Sequence, residues 1–273
     1  MKGWLRALLA RLPAGHQSIP EELWRATLVQ FPFLSQLSAV ELTRLRQLTR
    51  EFLRQKEFHG AAGLIITDAM AVAIASQACL PILRFGTARQ ALRWYDDFVG
   101  IVVHPGEVLA PRSETDDNGV VHTYHERLSG EAMAEGPVTL SWHDVWMSGA
   151  SAAQGYNVVI HEFIHKIDMR DGAPDGCPPL PPNFMGAVSP RAARQHWLDQ
   201  LTKEFDRFGE QVVMAQRFSG APTWLDPYGA ESIDEFFAVS CEAYFVNRPD
   251  FSREFPSLLV LYDAFFNAPS LLD

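Results

Sequence analysis

The stretch from Asn157 to about Met169 constrains the fold of this chain more than any other. It sets Val158, Val159, Ile160, Phe163, Ile164 and Ile167 around His161, Glu162 and His165. Apolar residues at helical spacing on several faces describe a helix that is buried. Two imidazoles and a carboxylate inside a buried helix need partners, because each unpaired polar group costs roughly 1–3 kcal/mol. The rest of the chain has to wrap this helix and supply those partners.

The polar residues follow the pattern H-E-x-x-H. On an α-helix, positions i and i+4 lie on one face a turn apart, so His161 and His165 can reach a single ion. Zinc accepts neutral imidazole nitrogen, and a catalytic zinc site uses three protein ligands and leaves a position for water. Glu162 lies roughly 100° around the helix from His161, close enough to take a proton from that water without being a ligand. One zinc ion per chain would satisfy all three polar groups.

The third ligand is not in the same helix. One family of zinc peptidases places a histidine six residues after the second, but the continuation here is Lys166-Ile167-Asp168-Met169-Arg170-Asp171. The other common solution is a carboxylate from a later helix, and Glu231, Asp234, Glu235 and Glu242 are available. Ser232-Ile233-Asp234-Glu235 also fits a capping box, in which Glu235 would bond back to the Ser232 amide. Glu242, two turns on from Glu235, is either another ligand or the partner of a ligand. Asp168 is placed to accept the outer N–H of His165 or to serve the helix end.

Composition narrows the function classes. Hydrophobic residues make up 47% and charged residues 21% of 273 residues, enough for a full core without disulfides. A net charge of −10 disfavours direct binding to nucleic acid or to anionic lipid. Cys79, Cys177 and Cys241 form no C-x-x-C pair, which suits a reducing cytoplasm. The opening Met1–Arg11 has Arg6 and Arg11 within its apolar run, so it reads as a short amphipathic segment and not as an export signal. No stretch has the uncharged length to span a bilayer.

Along the chain, helices are expected from Pro20, from Ser38 to about Lys56 behind a Ser38–Glu41 capping box, and from Thr67 to about Ala78. Phe98–His104, Val120–Glu126 and Gly136–Trp142 have strand character, with an Asn118-Gly119 turn signal between the first two; they suggest a small antiparallel sheet. The strand Val138–Trp142 is a candidate to pair with an extended substrate. Asp171–Pro182 is a loop. Pro190 to about Gln216, possibly broken at Gly209, and Ser232 to about Asn247 are helices. Helices, then sheet, then helices is an α+β order. It is read as one domain over 1–273, with 1–95 mainly helical and 96–273 carrying the sheet and the metal-binding helices.

Two widely separated motifs carry a family resemblance. His161-Glu162-Phe163-Ile164-His165-Lys166-Ile167-Asp168, followed by Tyr228-Gly229-Ala230 and by Glu235-Phe236-Phe237-Ala238-Val239, resembles the MtfA (Mlc titration factor A) family. Gly136-Pro137-Val138, Leu140, Trp142, Asp144 and Phe255-Pro256-Ser257-Leu258 match as well, so the likeness runs from about residue 25 to about 265. That resemblance implies a zincin-like, gluzincin-type peptidase core similar to the catalytic domain of anthrax lethal factor. It implies His161, His165 and Glu235 as zinc ligands, Glu162 as catalytic base and Tyr228 beside the site. The phenol of Tyr228 could then donate to a developing oxyanion.

The function expected is zinc-dependent hydrolysis of peptide bonds, and the resemblance implies aminopeptidase-type action on short peptides. The resemblance also implies a second role, capture of an Mlc-like transcriptional repressor. A structural zinc site is the third reading, and it would need a fourth protein ligand.

Overall fold

The computed structural model describes residues 18–115, 121–218 and 220–268, with backbone only for 108–115 and 121–128. The amphipathic reading of Met1–Arg11 and the Asn118-Gly119 turn lie outside the described residues.

Helix α1 (Glu21–Gln30) starts behind Pro20, and α2 (Ala39–Gln55) starts at the expected capping box. The Glu41 amide donates to Ser38 Oγ at 3.3 Å and the Ser38 amide to Glu41 Oε2 at 3.0 Å, satisfying two donors that a helix start leaves orphaned. The buried stripe of α2 is Leu45, Leu48 and Phe52, at the spacing read from the sequence.

The first third is not wholly helical, however. Strand β1 (Glu57–Gly60) follows α2 directly and pairs in parallel with β2 (Gly100–His104). Four mostly exposed residues, Glu-Phe-His-Gly, show too little alternation to announce a strand; pairing with Val99 and Val103 creates it. Helices α3 (Asp68–Ala78) and α4 (Ala88–Leu92) make the crossover between β1 and β2.

The sheet corrects the antiparallel expectation. Its order is β1-β2-β6-β5, with β2 parallel to both neighbours and only β5 (Gly130–Ala132) antiparallel to β6 (Val138–Ser141). The strands β3 (Val108–Thr115) and β4 (Val121–Leu128) pair antiparallel in a separate ribbon. That excursion brings the chain back to lie alongside β2 in the same direction. Strand β6 is therefore internal, bounded by β2 and β5, and the expectation that it could pair with a substrate is wrong. The edge is β5.

Strand β6 ends at Ser141, whose side chain caps a helix the sequence reading passed over, α5 (Trp142–Ser151). Next come α6 (Val158–Asp168), α7 (Pro190–Arg217), α8 (Ile233–Val246), α9 (Arg248–Glu254) and α10 (Pro256–Phe266). Helix α7 runs through Gly209 without a break, since one glycine costs only about 1 kcal/mol in a helix interior.

Helix α6 packs on α8, α3, α5 and β5, which makes it the centre of this α+β arrangement. Its Phe163 is fully buried against Phe52, Tyr95 and Phe98, at ring-centre distances of 5.7, 4.9 and 5.9 Å. Burying a side chain of that size contributes roughly 1.5–3 kcal/mol. The same contact holds the opposite, polar face of α6 against α8.

Candidate metal centre

Both ends of α6 are tied down by side chains. Asn157 caps the start, its Oδ1 accepting from the Ile160 amide at 2.9 Å. Its Nδ2 donates to Gln77 Oε1 on α3 at 2.7 Å, and its backbone amide donates to Glu242 on α8. At the other end the buried Asp168 Oδ2 accepts from the Asp175 and Gly176 amides at 3.0 and 2.8 Å. Of the two roles open to Asp168 from the sequence, the structure shows the helix-end one. Burial pushes its carboxyl up to about 7 against the pull of those amides.

On the polar face three atoms converge. His161 Nε2 lies 3.1 Å from His165 Nε2 and 3.1 Å from Glu235 Oε2, and His165 Nε2 lies 3.3 Å from the same oxygen. Four ligands placed tetrahedrally at about 2.0–2.2 Å from a zinc ion stand about 3.3–3.6 Å apart. The observed triangle is that size to within a few tenths of an ångström. The donor set, two imidazoles and one carboxylate, suits zinc. Among the described residues this trio is the group that could hold a metal ion, and it offers three ligands rather than the four of a closed structural site.

Glu235 reaches the triangle from the first turn of α8. Ser232 Oγ does accept from the Glu235 amide, at 3.4 Å, but the Glu235 carboxylate points at the histidines and not back at Ser232. Burial alone would raise the Glu235 pKa; hydrogen bonds to His161 and His165 overcome it and hold the carboxyl well below the usual carboxylate range. Tyr228 Oη donates to Glu235 Oε1 at 3.2 Å and fixes the carboxylate's rotation.

The outer nitrogen of His161 is occupied as well. Its Nδ1 donates to Glu242 Oε1 at 2.8 Å, which directs Nε2 into the triangle. Glu242, 1% exposed, is through that contact the partner of a triangle residue, one of the two roles open to it from sequence. Burial raises the Glu242 pKa and the neighbouring His161 opposes the rise. Burial lowers the pKa of His161, yet Glu235 and Glu242 on either side lift it well above the ordinary histidine value.

Glu162 is 4% exposed and lines the same cleft. Burial pushes its carboxyl up to about 7, with His161 and His165 pulling the other way. Gly130 of β5 leaves it room. A Cβ there would fall 2.7 Å from both Glu162 Cγ and Cδ, so the edge strand approaches the carboxylate as closely as a bare backbone allows.

All five residues singled out from sequence, His161, Glu162, His165, Tyr228 and Glu235, line one cleft of about 390 Å³. Ser129, Gly130, Glu131 and Ala132 form a wall of it, and Tyr156, Asp226 and Asp234 add to its lining. Sequence reasoning missed the edge strand and Tyr156. A glycine preceding the Gly136-Pro137 turn is the one local signal that β5 gives.

A family description, glucose-regulated metallo-peptidase M90, matches residues 5–267. The chain belongs to this metallopeptidase family. The match reaches further toward the N-terminus than the segment that carried the resemblance. A protein of Klebsiella pneumoniae subsp. pneumoniae named Mlc titration factor A is 30% identical over 263 residues, covering 94% of this chain and 89% of that one. Proteins of the same name from Cronobacter sakazakii and Salmonella arizonae are 31% and 32% identical, covering 91% and 89% of this chain and 87% and 90% of their own. The MtfA resemblance therefore holds over most of the chain. Membership in a metallopeptidase family implies a metal ion. No helix among the described residues is long and apolar enough to cross a membrane.

Proposed function

We propose that this chain is a zinc-dependent peptidase with a zincin-like, gluzincin-type core, held by His161, His165 and Glu235. The observation that carries the reading is the triangle of ligand atoms, sized for tetrahedral zinc, beside a buried carboxylate in an open cleft. A zinc ion there would supply Lewis acidity, polarising a scissile carbonyl and making a water acidic enough to lose a proton near neutral pH. Glu162 takes that proton as the water attacks and returns it to the leaving amine. Its burial favours the protonated carboxyl, which suits a group that must return a proton as well as take one. The Tyr228 hydroxyl keeps its proton, donating a hydrogen bond to Glu235 before the reaction and turning to donate one to the developing oxyanion during it.

Strand β5, at the sheet edge and along the cleft, is the place for an extended peptide to add by main-chain hydrogen bonds. Asp226 and Asp234 in the cleft suit a free α-ammonium group, which favours aminopeptidase-type action on short peptides. One continuous core among the described residues, from Ile19 to Phe266, supports reading the chain as a single peptidase domain, and the buried thiols of Cys79, Cys177 and Cys241 suit a reducing cytoplasm.

Purified wild type is expected to hold one zinc per chain and Glu235→Ala to hold none. Wild type should cleave chromogenic amides of free amino acids and short peptides and spare the N-acetylated forms. Equal cleavage of free and acetylated substrates would remove the aminopeptidase part and leave the rest. A second reading rests on the name its relatives bear: binding of an Mlc-like transcriptional repressor, with peptidase activity secondary. Retention of such a repressor by both wild type and Glu162→Gln would support it; failure to retain it in either would dismiss it.

A further inference from the structure

Lys166 is the next residue along the metal helix after His165, and it is fully buried. An ammonium group taken out of water carries a desolvation penalty that a methionine of similar shape would avoid. Its surroundings indicate what the charge does. Lys166 Nζ pairs with Asp97 Oδ2 at 2.5 Å, donates to the Met133 carbonyl at 2.8 Å and reaches the Gly136 carbonyl at 3.4 Å. The Phe98 ring lies 4.7 Å from it. The three N–H donors thus have three acceptors. Arg170, in the short helical turn Met169–Asp171 just past the end of α6, pairs with Asp96 at 2.8 Å and lies 3.8 Å from Asp97 Oδ1.

Met133 and Gly136 delimit the turn between β5 and β6. The Gly136 amide closes that turn on the Met133 carbonyl at 3.1 Å, with Glu135 at a φ of 53°. So the helix that carries His161, Glu162 and His165 also grips the turn from which the cleft-lining strand departs. At its other end that strand meets the helix again, where Gly130 lies against Glu162. The helix holds β5 at two points, one by contact and one by charge.

We propose that Lys166 is a positioning residue that fixes the height of the substrate-bearing edge strand β5 relative to the metal ligands and Glu162. This rests on the peptidase reading given above. With the clamp intact, a peptide paired along β5 presents its scissile carbonyl at one fixed distance from Glu162. Without it, the β5–β6 turn drifts while the triangle of ligands, held by Asn157, Glu242 and Tyr228, stays in place. The loss falls on substrates long enough to use the strand and spares an amide of a single amino acid.

The test compares full-length wild type, Lys166→Met and Gly136→Ala. The last perturbs the turn from outside without leaving Asp97 unpaired, since a Cβ at 136 would come within 2.7 Å of the Met133 Cβ. Zinc content, kcat and KM are read on a single-residue chromogenic amide and on a tetrapeptide amide, and amide hydrogen exchange is read over 130–132. Both variants are expected to keep zinc and single-residue cleavage, to lose about tenfold in kcat/KM on the tetrapeptide through KM, and to exchange faster over 130–132. Tenfold is the worth of one or two backbone hydrogen bonds. A parallel fall on both substrates, or no fall on either with unchanged exchange, overturns the clamp. If Lys166→Met does not fold, Gly136→Ala decides by the same readouts. If wild type cleaves neither substrate, the peptidase reading fails on its own, and unchanged exchange at 130–132 in the variants still overturns the clamp.

Discussion

His161 illustrates how much one residue has to satisfy. Its Nε2 faces His165 and Glu235 while its Nδ1 is spoken for by Glu242. Removing Glu242 frees the ring to turn, so Glu242→Ala is expected to weaken zinc binding about 10–100-fold without abolishing it. Titration against a chelator of known affinity measures this, and zinc binding at wild-type strength would refute the orienting role. Asp168 makes a different prediction. Its carboxyl titrates at about 7 in the folded chain and near 3.9 when unfolded. Between those values the folded state binds the extra proton, so its contribution is full at low pH and is lost as pH rises toward 7. Asp168→Asn has no such titration. Unfolding free energies of the two proteins, compared from pH 4 to pH 7, should therefore move in favour of the asparagine variant. A constant difference would show that Asp168 is not buried in this way.

At the scale of elements, α6 is held by packing on one side and by polar ties on the other. Phe163→Ala removes a ring enclosed by Phe52, Tyr95 and Phe98 and should cost about 3–5 kcal/mol in chemical denaturation, with zinc affinity falling as well because the ligand face moves. A loss below about 1 kcal/mol would mean the site does not depend on that core. This element was legible in the sequence because everything that defines it is local: its periodicity, its Asn157 cap and its two histidines a turn apart. Glu235 was not legible on the same terms. Ser232 offered it a local partner as a capping box, and the family resemblance of the motifs around it decided between them. Strand β1 gave no signal, since four mostly exposed residues acquire their conformation from pairing with β2. The direction of β6 was misread because strand periodicity does not record orientation. Parallel pairing here follows from the β3–β4 excursion, which no local pattern encodes.

For the molecule as a whole, the candidate metal cleft forms where three pieces distant in sequence meet: the α6 histidines, the α8 carboxylate and the β5 edge strand. Such a joint is stabilised by whatever binds across it. Saturating zinc should raise the unfolding temperature, because a ligand that binds only the folded chain adds RT ln(1 + [L]/Kd) to its stability. Glu235→Ala should show no such rise. The most direct test of the peptidase reading is hydrolysis of unblocked chromogenic peptides by wild type and by Glu162→Gln, both brought to equal zinc content. Glu162 then differs between them only as a base. The expected result is cleavage by wild type and a loss of about 10²-fold or more in kcat for the glutamine variant. Equal rates at equal zinc would contradict the role given to Glu162, and no cleavage by zinc-loaded wild type would contradict the peptidase itself.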